Sequence, residues 1–304
     1  MKFSSFAIVF LLLAGPTVMV AGELEDALEN LKQAEAQKDV AQVKKLALET
    51  YGLVSQVVNS PAPESAEEKQ HWTNRVTYAK EIGLHVEYAL YSVAVQSPRP
   101  AMIDLIATLE KVNPKSQYLD AAYGPYLVAL SQAGSAAQVP AIADKALQNF
   151  PENEELLLVV ADNAMARKAY DRALNCANRL TNALGKHSKP EGVAAADWER
   201  RRTAMLGRGY WIAGVIQAER NLYVPADTAL RAALPLIQGN NDMMGPALFY
   251  LGLVNYQIAK LTMNRARMND STRFSQQAAQ ISGPYSQQAW HNALVSKREA
   301  ATMR

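Results

Sequence analysis

Gly207–Lys260, GRGYWIAGVIQAERNLYVPADTALRAALPLIQGNNDMMGPALFYLGLVNYQIAK, decides the fold of this 304-residue chain. Apolar and small residues fall at helical spacing at Tyr210, Ala213-Gly214 and Gln217. After a tight turn the spacing resumes at Tyr223, Ala226, Leu230 and Ala233. A further first helix opens at Leu248, Leu251-Gly252, Asn255 and Tyr256. The stretch is therefore a helix, a turn, a second helix and the start of another such pair.

The same grammar extends upstream. One unit places Tyr123, Tyr126-Leu127 and Leu130 on a first helix, turns near Gly134, and places Val139, Ala143 and Ala146 on a second. It closes at Phe150-Pro151-Glu152-Asn153. The next carries Leu157, Val160-Ala161 and Ala164, then Tyr170, Ala173, Ala177 and Leu180. Val139 and Ala173 are 34 residues apart, whereas Ala173 and Ala226 are 53 apart, so 19 residues are inserted. The insertion maps to Gly185–Thr203, where GKHSKPEGVAAA has loop composition. Ala161, Gly214 and Gly252 are small enough for paired helices to approach closely, and one pair alone cannot bury both faces, so pairs stack.

On these residues, over roughly 100–260, the chain resembles the tetratricopeptide-repeat family. With KVNPKSQY at 111–118, it is similar to exported bacterial proteins of that kind. It departs from the family pattern at the first aromatic slot, where Tyr123, Leu157, Tyr210 and Leu248 replace Trp, and at Pro140, acceptable only in the first turn of a helix. The resemblance implies an all-α fold, a right-handed superhelix of antiparallel helix pairs with helical caps. It also implies a concave surface lined by first helices. Its floor would be Glu155, Leu158 and Asp162 from one unit, Arg208, Trp211 and Val215 from the next, and Phe249, Leu253 and Tyr256 from the third. Some members grip a peptide carboxylate there with Lys and Asn; Leu158, Asp162, Trp211 and Val215 stand in those places, so that clamp is absent. Trp211, Phe249 and Tyr256 either face an open groove or pack against adjacent helices.

The flanks complete the expected organisation. Residues 1–22 carry Lys2, an apolar run from Phe6 to Leu13, Gly15-Pro16 and small residues at Ala21 and Gly22 before Glu23. This is the layout of a cleavable secretory signal, and the apolar run is shorter than the roughly 20 residues a membrane span needs. An uncleaved inner-membrane anchor is the alternative. Residues 23–60 read as a helical hairpin interrupted at Gln37-Lys38-Asp39, and 61–260 as the repeat array, opened by a long helix over Glu64–Gln96. Residues 261–304 read as capping helices at Asn269–Ile281 and Tyr285–Thr302, divided by Ser282-Gly283-Pro284.

A net charge of +2 is too small to argue for a nucleic-acid partner. The one cysteine, Cys176, rules out an intramolecular disulfide framework. His71, His85, His187 and His291 lack metal-ligand spacing, and no phosphate loop or GxSxG frame occurs, so neither metal, cofactor nor catalytic set is expected. Trp198-Glu199-Arg200-Arg201-Arg202 reads as a solvated basic face rather than a phosphate site. Residues 23–68 hold ten acidic and four basic groups, net −6, while 260–304 hold seven basic and two acidic, net +5. Such opposed ends admit head-to-tail self-association. The expectation is an exported, periplasmic or secreted, non-enzymatic scaffold that binds a protein or peptide in its groove. The alternative is a module for polysaccharide or another envelope component.

Overall fold

The computed structural model describes residues 16–189 and 193–303, and every regular element among them is helical. Most of the expected signal segment lies outside the described residues. The chain divides into two compact units, one reaching Ala136 and the other starting at Ala137.

The first unit contains α1 (Pro16–Gln37), α2 (Val40–Val58), α3 (Ala66–Val95), α4 (Arg99–Val112) and α5 (Gln117–Leu130). Local chemistry fixes the starts. Asp39 accepts the Gln42 amide to cap α2, and Ser65 accepts the Glu68 amide at the head of α3 while its hydroxyl meets the Glu68 carboxylate. The stripe Val76, Ala79, Ile82, Val86, Ala89, Leu90 and Val93 on α3 is buried against its neighbours. Burying each such leucine or isoleucine contributes roughly 2 kcal/mol. By contrast, Gly52 lies mid-helix in α2 with open space where a Cβ would go. Gly52→Ala is therefore expected to raise the urea midpoint of this unit, worth about 0.5–1 kcal/mol.

The second unit contains α6 (Val139–Ala146), α7 (Glu154–Ala166), α8 (Tyr170–Lys186), α9 (Ala195–Glu219), α10 (Tyr223–Ala233), α11 (Asn241–Thr262), α12 (Arg265–Ala279) and α13 (Ser286–Thr302). The boundary between units falls inside the first pair read from sequence. Beyond Leu130 the chain enters a π-helical turn, Ser131–Ser135, which Gly134 breaks with φ 82°. The two helices of that expected pair thus belong to different units. At the other end, Asn264 accepts the Arg267 amide and starts α12 at Arg265, earlier than the periodicity places it. α12 packs on α11 as α10 packs on α9, so it completes a fourth pair, and α13 follows alone.

One turn recurs. Lys38, Lys168, Asn221 and Met263 adopt φ of 55°, 59°, 61° and 52°, and each joins the two helices of a pair. In each case the next amide donates five residues back: Asp39 to Ala34, Ala169 to Ala164, Leu222 to Gln217, and Asn264 to Ala259, at 2.8–3.1 Å. This left-handed closure satisfies the last free carbonyls of a helix and reverses the chain within two residues. The same closure thus joins α1 to α2, α7 to α8, α9 to α10 and α11 to α12.

Polar links between next-but-one helices fix their direction. Glu155 pairs with Arg201 and Asp162 with Arg208, both 46 residues apart, so α7 and α9 run parallel. Asp144 with Arg172 and the Pro151 carbonyl with Arg179, both 28 apart, do the same for the α6 and α8 segments. Asp227–Arg267 and Asp270–Arg231, 40 and 39 apart, align α10 with α12. The second unit is thus built of stacked pairs in two layers, with α7, α9, α11 and α13 successive in one of them.

Candidate functional site

All nine residues of the expected floor lie on α7, α9 and α11, within the second unit. Helical spacing places Leu158 and Asp162 one turn apart on α7, and Arg208, Trp211 and Val215 along α9. The structure joins three of them into a ladder. Arg208 Nε donates to Asp162 Oδ1 at 2.7 Å, and the guanidinium carbon lies 4.7 Å from the centre of the Trp211 ring. The indole N–H of Trp211 donates to the Met243 carbonyl at 2.9 Å, tying α9 to the start of α11. All three side chains are half-buried. A planar cation held by a carboxylate on one side and an indole on the other has little freedom left, while donors remain for a ligand.

The remaining floor residues separate. Leu158 and Leu253 are half-buried and offer apolar surface. Glu155 is neutralised by Arg201. Val215 and Phe249 are buried in the core, Phe249 with its ring 4.7 Å from that of Tyr285, so neither forms part of the floor. The reason is rotational: Val215 follows Gly214, which meets Leu230, and Phe249 lies one turn before Gly252, which meets Ser275, so both side chains turn toward packed neighbours. Tyr256 stays half-buried, and its hydroxyl donates to Glu299 at 2.7 Å, where Lys260 also binds at 2.9 Å. Those two hydrogen bonds, from Tyr256 first and Lys260 second, hold the Glu299 carboxyl below its usual range.

Beside Leu253 and Tyr256 a cavity of about 250 Å³ opens between α11 and α13. Gln257, Asn292 and His291 add polar groups to its wall, and Ser271 lies at its base. The Ser271 hydroxyl is buried and has no hydrogen-bond partner among the described residues. A hollow of about 660 Å³ lies elsewhere, at Leu234, Met244, Phe274 and Ile281, where α10 stops short of α12. Its volume is larger, but it lacks convergent polar groups apart from rim glutamines and Arg231, whose charge is already spent on Asp227 and Asp270. The smaller cavity, toward the far end of α11 from the ladder's contact at Met243, is the better-built binding surface.

Two other expectations can be placed. The arginine run of α9 is consumed internally: Arg200 pairs with Asp197, Arg201 with Glu155, and Arg202 binds the Leu184 carbonyl, while Trp198 is buried. Cys176 is buried, and burial pushes its thiol up against the opposing pull of Arg179 and Arg172, which disfavours the reactive thiolate. Among the described residues no group of three or more His, Cys, Asp or Glu is arranged to hold a metal.

Sequence reasoning missed a polar cluster joining three helices. Asp227 of α10 accepts from Asn255 of α11 at 2.7 Å, Arg267 of α12 at 2.7 Å and Arg231 at 2.8 Å. Arg231 reaches on to Asp270 at 2.7 Å. The only trace in the chain is Asn255, a polar residue on the apolar stripe of α11. A second cluster closes the ends of the helices, where Glu219 accepts from Tyr250 and Tyr170. Burial first, then that hydrogen bond, raises the Tyr250 hydroxyl, keeping it protonated as the donor.

A scan of known family models finds no match to this chain, and a search of curated proteins finds no similar sequence.

Proposed function

We propose that the protein is an exported, non-enzymatic tetratricopeptide-type scaffold that binds an extended segment of a partner protein along the α7–α9–α11–α13 layer. The finer fold assignment, a right-handed superhelix, belongs to the same proposal. It is supported by the 34-residue spacing and by the recurring left-handed turns. The observation that carries the binding reading is the half-exposed Asp162–Arg208–Trp211 ladder, which meets α11 at Met243, with the cavity at Leu253 and Tyr256 further along the same helix. Arg208 supplies fixed donors for a backbone carbonyl or an acidic side chain, Trp211 and Leu158 supply apolar surface, and the cavity takes a side chain.

A second reading, a neutral sugar of an envelope polysaccharide, draws on the cavity itself. Tyr256 offers a ring face, and Gln257, Asn292 and Ser271 offer the uncharged donors and acceptors that hydroxyl groups need. Export rests on the signal layout of residues 1–22. Among the described residues no helix is long and apolar enough to cross a membrane.

The test is selection of the folded protein against a displayed random-peptide library and, in parallel, an immobilised glycan panel. The scaffold reading expects peptide hits whose affinity falls about tenfold or more in Arg208→Ala, with an unchanged melting temperature, because a charge-assisted hydrogen bond is worth roughly 1.5–3 kcal/mol. Glycan hits sensitive to Asn292→Ala but not to Arg208→Ala would favour the sugar. Peptide binding unaffected by Arg208→Ala would exclude the ladder as the binding surface.

A further inference from the structure

The last helix of the second unit carries a feature independent of the ladder. α13 buries Ala289, Ala293, Ser296 and Ala300 against its neighbours. An uncovered helix flank in a stacked array is normally polar. α13 instead leaves Trp290 60% and Leu294 45% exposed on its free flank. Arg298 is exposed on the same flank. Among the described residues Lys260 pairs with Glu299 on the opposite flank of α13, while Arg298 makes no ion pair.

Trp290, Leu294 and Arg298 stand at successive four-residue steps, so they form one stripe along the helix. The stripe is its own complement. If two such helices lie antiparallel with Leu294 at the centre, each Trp290 comes opposite the Arg298 of the other helix. Two cation–π contacts then flank a leucine pair. We propose that α13 is a self-association surface, pairing antiparallel with α13 of a second copy across a two-fold axis at Leu294. A closed two-fold contact uses the same patch twice and leaves no open end.

The acidic face of α1 on another copy is the competing occupant. Glu23, Glu25, Asp26 and Glu29 are exposed there and would attract Arg298. Among the described residues that face presents charge but no exposed large apolar side chain, so Trp290 would stay uncovered. The α13 pairing satisfies both the indole and the guanidinium. One helix from each copy makes a small interface, so the dimer is expected to be weak and concentration-dependent, on the order of micromolar.

Sedimentation velocity of the full chain over a concentration series tests this. The expected result is a reversible dimer whose dissociation constant rises about tenfold or more in Trp290→Ala, the effect of truncating an aromatic anchor. Trp290 is exposed, so the monomer's far-ultraviolet circular dichroism should be unchanged in the variant. Leu294→Cys provides the second measurement. Its thiols would meet at the axis and form a covalent dimer under mild oxidation, with the parent as control, since Cys176 is buried. A monomer at all concentrations, or a dimer unmoved by Trp290→Ala, would overturn the proposal. So would failure of Leu294→Cys to crosslink while a mixture of Leu294→Cys and Glu25→Cys chains forms the mixed disulfide, which would instead assign the contact to the charged ends.

Discussion

Gly214→Val is expected to destabilise the second unit by about 3 kcal/mol or more. A Cβ at this position would lie 2.5 Å from Cγ and 2.8 Å from Cδ2 of Leu230, and 3.0 Å from its backbone nitrogen. Carbon atoms sit comfortably at 3.5–4.0 Å, so even the first added atom overlaps. Leu230 cannot swing aside, because it is fully buried between α9 and α10 and surrounded by core. The relief has to come from separating the two helices, which opens voids along their whole contact. Against this, replacing a helical glycine recovers at most about 1 kcal/mol of helix propensity. Repulsion wins, and the two further methyl groups of valine add to it. Urea unfolding followed by far-ultraviolet circular dichroism measures the loss. Gly214→Ala should fall between parent and valine variant; an alanine variant as stable as the parent would mean that α9 and α10 do not meet this closely.

The second large effect is expected at Asp227. Its side chain is 7% exposed and binds Asn255, Arg267 and Arg231 at once. Asp227→Ala leaves two guanidinium groups facing each other across a buried amide. Removing one partner of a buried ionic cluster costs about 3–5 kcal/mol, and the partial exposure of both arginines places the loss toward the lower figure. The pH dependence gives an independent check. Burial pushes the Asp227 carboxyl up, but hydrogen bonds from Asn255, Arg267 and Arg231 outweigh it, and the net shift is downward. A carboxyl whose native pKa is depressed contributes stability in full above its unfolded value, about 3.9. That contribution fades as pH falls through the native value. The gap in melting temperature between parent and Asp227→Ala should therefore be widest near neutral pH and narrow below about pH 4. Parallel curves from pH 7 to 3 would show that the carboxylate is not held ionised by its partners.

The elements written in periodicity were legible and those written in partnership were not. The stripes Leu157–Val160–Ala161–Ala164 and Ala173–Ala177–Leu180 predict buried faces because burial is set by one helix's own spacing. The small residues Gly214 and Gly252 announce close approach for a similar reason: only a missing side chain permits it. The start of α12 escaped, because Arg265-Ala-Arg-Met has no apolar period and Asn264 alone marks the cap. The Asp227 cluster escaped because its members lie 28 and 40 residues apart and converge only once the pairs have stacked. The site divides the same way. Its helices and half-exposed residues followed from spacing, whereas the pairing of Asp162 with Arg208 needed the register between α7 and α9. The inward turn of Val215 and Phe249 needed the rotation of each helix about its axis.

The succession of neighbours also bears on how the chain acquires its structure. Within each unit a helix packs mainly on the one before it and the one after it, and α1–α3, α2–α4, α3–α5, α7–α9, α9–α11 and α11–α13 add contacts within a layer. No segment has to wait for a partner from far along the chain, so the entropy spent closing loops stays low at every step. Folding can then begin at any well-packed pair and spread outward, with α11–α12 a natural seed because Gly252 and Ser275 touch there. On a ribosome this means that each pair can settle as it emerges, and that a lesion in one interface delays its neighbours without stopping the rest.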